Sequence, residues 1–167
     1  QFGRFTKLLS GFDASELKIT LPDFHNLTLR YQQFELALEN GNPERIEQSK
    51  DMIAVIRQNK RIVEEYEICK EKFTLRVTHH DTKISNVLFD KEGKGLCVID
   101  LDTVMPGYFI SDVGDMLRTY LSPVSEEEKD FSKIVVRDEF YKAIINGYKE
   151  EMKHELTEKE NKYFYKL

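Results

Sequence analysis

The chain has 167 residues, of which 25 are Lys or Arg and 30 Asp or Glu, for a net charge of -5. That length suits one domain with a real core. The acidic balance, with short basic stretches such as Lys70-Glu71-Lys72 interleaved with acids, argues against a nucleic-acid partner, which needs a clustered positive surface. Two cysteines, Cys69 and Cys97, make no disulfide framework or metal pattern, and Cys97 within 96–99 reads as an inert core thiol. Nothing resembles a signal peptide and no apolar run is long enough to cross a bilayer, so no membrane partner is expected and the expected location is the cytoplasm.

Apolar residues at Phe2, Phe5, Leu8 and Leu9 predict a first helix, broken by Gly11 and Asp13-Ala14-Ser15. The opening residue is Gln1 and the helical pattern is already running, which reads as a piece of a longer protein. Pro22-Asp23-Phe24-His25-Asn26 is a turn-rich linker. A helix over 27–38 follows, with Leu27, Tyr31, Phe34 and Leu38 on one face, and it stops near Asn40-Gly41. Asn42-Pro43 supplies an N-cap and a first helical residue for a long helix running through Ile46, Ile53, Ile56, Ile62, Val63 and Tyr66. Residues 73–77 read as extended. The runs 87–89 and 96–99 are strand candidates joined by an Asp- and Gly-containing loop, as in a hairpin. Helices are expected again over 112–120, over 125–148 in one or two pieces, and from Thr157. The expected fold class is α+β, mainly α, with small β-hairpins at the centre.

The informative residues are His79-His80-Asp81-Thr82-Lys83-Ile84-Ser85-Asn86 and Val98-Ile99-Asp100-Leu101-Asp102. Phosphoryl transfer needs a carboxylate to orient the attacking hydroxyl and take its proton, and oxygen ligands to hold Mg²⁺ against the phosphates. Five residues between Asp81 and Asn86 let a loop turn both into one cleft, and the intervening hairpin returns the chain to bring Asp100 beside Asn86.

This order of parts matches the catalytic loop and metal-binding Asp of the kinase pattern, with His-x-Asp for His-Arg-Asp and Ile99-Asp100-Leu101-Asp102 for Asp-Phe-Gly. The wording resembles the aminoglycoside phosphotransferase and choline kinase type. The run from Asp100 to Gly107, then Asp112-Val113-Gly114-Asp115, and the upstream 22–26 are similar to its N-acetylhexosamine kinase branch. The resemblance implies the C-terminal catalytic lobe of the protein kinase-like fold over 1–167. It implies Asp81 as catalytic base, Asn86 and Asp100 as Mg²⁺ ligands, ATP as donor, and an N-acetylhexosamine acceptor phosphorylated at its anomeric hydroxyl. Choline or an aminoglycoside is the alternative acceptor; the absence of acids between Asp102 and Asp112 suits an uncharged sugar better.

Around this core, Asp102 reads as a second metal contact or an orienting acid, and His79 as a brace for the loop. Asp112 and Asp115 are expected to bond to backbone or pair with Arg118, fixing the loop from behind. His80, Met105, Tyr108 and Phe109 are candidates for a substrate wall, although an aromatic near a helix start serves equally as core. The sequence contains no Gly-x-Gly-x-x-Gly, no P-loop, and no Lys in a Val-Ala-Ile-Lys context. The nucleotide-clamping lobe is therefore expected to be missing, the piece alone inactive, and an apolar surface near Phe2, Phe5 and Leu8 left to self-associate. Two rival readings fit the residues less well. Formylglycine-type sulfate hydrolysis fails because no Cys or Ser stands in a Cys/Ser-x-Pro-x-Arg context. A non-catalytic pseudokinase is disfavoured by the presence of Asp81, Asn86 and Asp100 together.

Overall fold

The computed structural model describes residues 1–125 and 127–164. Glu126 and residues 165–167 lie outside them, as does that part of the helix expected from Ser125. The chain divides into two compact units, Gln1–Leu21 with the segment from Phe73 onward, and Pro22–Lys72.

The first unit opens with α1 (Phe2–Leu8) and a 3-10 turn at Ala14–Glu16. Asp13 caps that turn through Oδ1, which accepts from the Ser15 amide and hydroxyl at 3.0 and 2.7 Å. The second unit is α2 (Leu27–Asn40), α3 (Pro43–Gln48), α4 (Lys50–Gln58) and α5 (Arg61–Lys70). Asn26 caps α2 by accepting from the Leu29 amide, and Asn42 caps α3 by accepting from Glu44 and Arg45. Leu27, Tyr31, Phe34 and Leu38 are half-buried, as the helical spacing predicts. Tyr31 also lies under the Lys60 ammonium at 5.9 Å, and Arg57 forks onto Glu35 at 3.2 and 2.6 Å.

The single long helix expected across 43–66 is three. It breaks at Ser49 and again at Asn59-Lys60. Asn59 turns its side-chain amide back onto the Val55 carbonyl at 2.8 Å, offering the backbone an alternative to the next helical turn.

The rest of the first unit runs β1 (Arg76–Thr78), β2 (Val87–Phe89), β3 (Gly95–Val98), β4 (Met105–Gly107), α6 (Phe109–Tyr120), α7 (Asp138–Glu151) and α8 (Glu158–Phe164). The expected hairpin is β2 with β3, pairing Val87 with Val98 and Leu88 with Cys97. Its turn is set by Asp90, whose Oδ1 accepts from the Glu92 and Lys94 amides at 2.9 and 2.8 Å, and by Gly93, whose φ of 78° suits a residue without Cβ. Cys97 is exposed, not a core thiol. The other antiparallel pair, β1 with β4, joins distant segments, Thr78 opposite Met105 and Arg76 opposite Gly107. Sequence reading did not anticipate β4. Pro106 donates no hydrogen bond, and Gly107 is needed because a Cβ there would overlap Thr78 Oγ1 and the His80 ring.

Residues 125–137, expected as helix, carry only a 3-10 turn at Phe131–Lys133 among those described. The β-branched run Ile134-Val135-Val136 disfavours helix. Arg137 then reaches back to the end of α6, where its guanidinium donates to the carbonyls of Tyr120, Leu121 and Ser122 at 2.7, 3.2 and 3.3 Å. Satisfying these orphaned carbonyls fixes where α7 starts.

The core lies between α1, α6, α7 and α8. Phe109, Met152 and Phe164 are fully buried, Phe109 stacks on Phe164 at 5.3 Å, and Phe73 meets Phe109 edge-on at 5.3 Å. Each fully buried aromatic or aliphatic side chain contributes about 1.5–3 kcal/mol of burial. Phe2 is buried and Phe5 half-buried, with their rings 5.1 and 5.8 Å from that of His79. Of the residues expected to leave a bare apolar surface, Leu8 is exposed, Phe5 is half-buried and Phe2 is buried. No helix among the described residues is long and apolar enough to cross a membrane.

Candidate active site

The segment leaving β1 is clamped by α6. Because α6 buries Phe109, Val113 and Met116 in the core, Asp112 and Asp115, one turn apart, lie together where the loop passes. Asp112 accepts the backbone amides of His79 (Oδ2, 3.0 Å) and His80 (Oδ1, 2.8 Å). Asp115 accepts the Thr82 amide and hydroxyl at 2.6 and 3.0 Å and holds Arg118 at 2.8 Å. The Tyr120 hydroxyl donates to the Thr82 carbonyl, and the single Thr82 hydroxyl proton is shared between Asp115 and the Asp112 carbonyl, each 3.0 Å from Thr82 Oγ1. Three of the four residues 79–82, His79, His80 and Thr82, are therefore held directly by one helix, with Asp81 between them.

Burial pushes the Asp112 carboxyl up to about 6, against the pull of its two backbone donors. Below its unfolded value of 3.8 the group is protonated in both states. Between 3.8 and about 6 the native state keeps a proton that the unfolded chain has released, so this group makes stability fall as pH rises through that window. Asp112→Asn cannot titrate. Urea midpoints measured from pH 4 to 7 should show the wild type losing stability relative to this variant as pH rises to about 6, with the difference level above that. A constant difference throughout would place the Asp112 pKa at its ordinary value.

His79 is fully buried. Its Nε2 faces the Ile99 carbonyl at 3.0 Å and its Nδ1 faces the Asp81 amide at 3.3 Å, which together specify a neutral ring protonated at Nε2. Its carbonyl accepts from Thr103 Oγ1 at 2.6 Å. His79 is thus a brace between the loop and the segment that carries Asp100.

Asp81 Oδ2 receives two donors, Asn86 Nδ2 at 3.0 Å and Lys83 Nζ at 2.8 Å. Partial burial works to raise its pKa, but the Lys83 and Asn86 hydrogen bonds and the Lys83 charge outweigh it and hold the carboxyl below its ordinary value. Asn86 is buried on a 3-10 turn (Ile84–Asn86) and also donates to the Asp81 carbonyl at 2.9 Å. With both amide protons directed at Asp81, its Oδ1 is the atom left for a cation. The Asn86 carbonyl accepts from the Ile99 amide at 2.9 Å, so Ile99 is tied on one side to Asn86 and on the other to His79.

Asp100 follows immediately, exposed and in the left-handed region at φ 62°, ψ 67°. A non-glycine residue there costs about 1–3 kcal/mol and persists only where neighbours over-determine it; the two bonds on Ile99 supply that constraint. Asp102 is exposed, and its carbonyl accepts from Thr20 Oγ1 at 3.2 Å.

The expected substrate wall is corrected by burial. Met105 and Phe109 are in the core, and His80 is enclosed, its Nε2 against Thr78 Oγ1 at 2.7 Å beside Gly107. His80 and Met105 pack the interior because β4 runs directly behind the loop, and Phe109 because it packs on Phe73 and Phe164. Tyr108 is half-buried, its ring 6.2 Å from that of Phe73. Sequence reading missed Lys83, Thr82 and Tyr120. Only Lys83 had a signal, a basic residue two positions after the candidate base.

No group of three or more His, Cys, Asp or Glu gathers as a metal site among the described residues. The candidate pair, one amide oxygen and one carboxylate, is a hard oxygen set that fits Mg²⁺ completed by phosphate and water, and does not fit an all-protein cage.

A mainly helical unit with two small antiparallel pairs, the loop after β1 clamped from behind by a helix, matches a fragment of the kinase-like fold. The model of the phosphotransferase enzyme family (APH) matches residues 1–156, and the chain belongs to that family.

Proposed function

We propose that this phosphotransferase moves the γ-phosphoryl group of ATP to a sugar hydroxyl, the anomeric hydroxyl of an N-acetylhexosamine. The observation that carries the reading is the division of labour at Asp81. Lys83 and Asn86 occupy Oδ2, leaving Oδ1 to orient the acceptor hydroxyl and receive its proton. Asn86 Oδ1 and the Asp100 carboxylate would hold Mg²⁺, which supplies charge neutralisation at the phosphates. Asp102, next to this pair, would orient it or add a further contact. The absence of carboxylates over 103–111 supports an uncharged acceptor. The parts that clamp nucleotide phosphates are not among these 167 residues, and we assign them to a separate lobe, so residues 1–167 alone should turn over poorly.

The test uses the full-length protein with ATP and Mg²⁺ against N-acetylhexosamines, other sugars, choline and aminoglycosides. ADP release is followed and the product identified by phosphorus NMR. An N-acetylhexosamine 1-phosphate is expected. Faster turnover of choline or an aminoglycoside would overturn the acceptor, and no transfer to any alcohol would overturn the kinase reading.

A further inference from the structure

Resting on that reading, we propose that Thr103 is a positioning residue for the metal site, whose hydroxyl fastens the turn carrying Asp100 and Asp102 to the residue that leads into Asp81. The bond is short and spans 24 residues of sequence: Thr103 Oγ1 donates to the His79 carbonyl at 2.6 Å. The β1–β4 ladder ends with Thr78 opposite Met105. There the chain turns away, and the Val104 amide closes the 3-10 turn Leu101–Thr103 on the Leu101 carbonyl at 3.0 Å. The Thr103 hydroxyl carries the attachment one residue further, onto His79.

Two bonds then tie this turn to a single residue. His79 Nε2 faces the Ile99 carbonyl at 3.0 Å, and the His79 carbonyl holds Thr103. Asp100 and Asp102 lie between these two fastenings. His79 is itself fully buried and bound to α6 by its amide on Asp112 at 3.0 Å. Asp81 is two residues beyond it. The assigned base and the carboxylates assigned to the metal therefore share one fixed reference, and Thr103 is the fastening on the side of Asp102.

The backbone shows what that fastening acts on. Asp100 occupies the N-cap of the turn at φ 62°, ψ 67°, yet its side chain makes no capping bond. A carboxylate at such a position ordinarily folds onto the amides that follow it; this one is kept out of the turn, where a cation can take it. A non-glycine residue stays in the left-handed region only where its neighbours over-determine it. Ile99 is held on one side, so Asp100 could relax by swinging residues 101–103, unless their far end is held as well. Thr103 holds that end. Thr20 Oγ1 also meets the turn, at the Asp102 carbonyl, but at 3.2 Å and in solvent. Thr103 is half-buried, so water competes less for its bond. Its hydroxyl reaches the chemistry only through the placement of Asp100, so its loss should be felt first as metal affinity.

The experiment compares wild type, Thr103→Val, Thr103→Ala and Thr103→Ser in the full-length protein, with melting temperatures to verify folding. Mn²⁺ binding beside a non-hydrolysable ATP analogue is followed by electron paramagnetic resonance. Transfer rates are measured over a range of Mg²⁺ at saturating ATP and acceptor. Thr103→Val and Thr103→Ala should weaken Mn²⁺ about tenfold, the scale of one lost hydrogen bond. They should raise the Mg²⁺ needed for half-maximal rate by a similar factor, with kcat largely restored at saturating Mg²⁺ and acceptor KM unchanged. Thr103→Ser keeps the hydroxyl and should recover both affinities. Unchanged Mn²⁺ affinity in the folded variants, a loss of kcat that is the same at every Mg²⁺ concentration, or a Thr103→Ser as weak as Thr103→Val would overturn the proposal. So would failure of both Thr103→Val and Thr103→Ala to fold, which would make the residue one of stability alone. A wild type that binds the manganese–nucleotide complex but transfers to no alcohol would remove the kinase reading, while the affinities still decide Thr103. A wild type that binds no such complex would remove both.

Discussion

Asp81→Asn in the full-length protein is expected to lower kcat by about 10²–10⁴-fold, the range for loss of a positioned general base, with little change in melting temperature. The structure makes this a clean substitution. Asp81 Oδ2 accepts from Asn86 and Lys83. An asparagine keeps those partners by turning its carbonyl oxygen toward them, and the partly exposed site tolerates the change of charge. Its amide nitrogen then occupies the place of Oδ1. A donor faces the acceptor hydroxyl where a proton acceptor stood, so the hydroxyl is neither oriented nor deprotonated. Acceptor KM should move much less than kcat, because the lost interaction grows in the transition state. Initial rates over a range of acceptor concentrations separate the two constants. A variant retaining kcat within a few-fold would show that another group receives the proton, and the assignment of Asp81 would be withdrawn.

The largest expected loss of stability lies away from the chemistry, at the buried pair of Arg76 and Glu160. Glu160 is fully buried and Arg76 nearly so. Their side chains meet at 2.8 Å. Glu160 also accepts the amides of Thr74 and Thr157 at 3.0 and 2.8 Å, and Arg76 donates to the Glu155 carbonyl at 2.5 Å. These bonds tie α8 to the strand that leads into His79. Glu160→Ala leaves a guanidinium buried without its counter-charge and two amides without their acceptor. Breaking such a pair from one side costs about 3–5 kcal/mol. At about 2–4 °C per kcal/mol for a protein of this size, the melting temperature should fall by roughly 6–20 °C. The double variant Arg76→Met/Glu160→Leu should recover much of the loss, because a hydrophobic replacement of both partners removes the desolvation penalty with the attraction. Arg57→Met is the internal comparison. Its pair with Glu35 is 54% and 33% exposed and screened by water, so removal should leave the melting temperature nearly unchanged. Thermal unfolding of the wild type and the three variants measures all of this, and an effect of Glu160→Ala as small as that of Arg57→Met would mean that water reaches the buried pair.

Much of this protein was legible from residues whose neighbours in sequence are their neighbours in space. Asn42-Pro43 starts a helix because a side-chain acceptor and a fixed φ act within one turn. Asp90 and Gly93 close the hairpin between β2 and β3 for the same kind of reason. The Asp81–Asn86 loop is local too, and the two residues bond across five positions. Motif wording extended this to the family, because the order Asp81, Asn86, Asp100 is itself the pattern. Tertiary structure decided what depends on partners far along the chain. The β4 strand exists because residues 105–107 find 76–78, and no periodicity of three residues with a proline at their centre announces that. The same pairing buries His80 and Met105, and packing on Phe73 and Phe164 buries Phe109, moving all three from a supposed substrate wall into the core. Residues 125–137 leave the helix through bonds from Arg137 whose acceptors are specified only once the chain has folded back, whereas the break at Asn59 is a local bond to Val55, four residues back, that apolar periodicity does not register. The cation at Asp81 belongs to this second group. Lys83 is one lysine among many in the sequence, and it becomes the partner of the Asp81 carboxylate only because α6, through Asp112, Asp115 and Tyr120, holds the backbone of this loop in the bend that brings the two together.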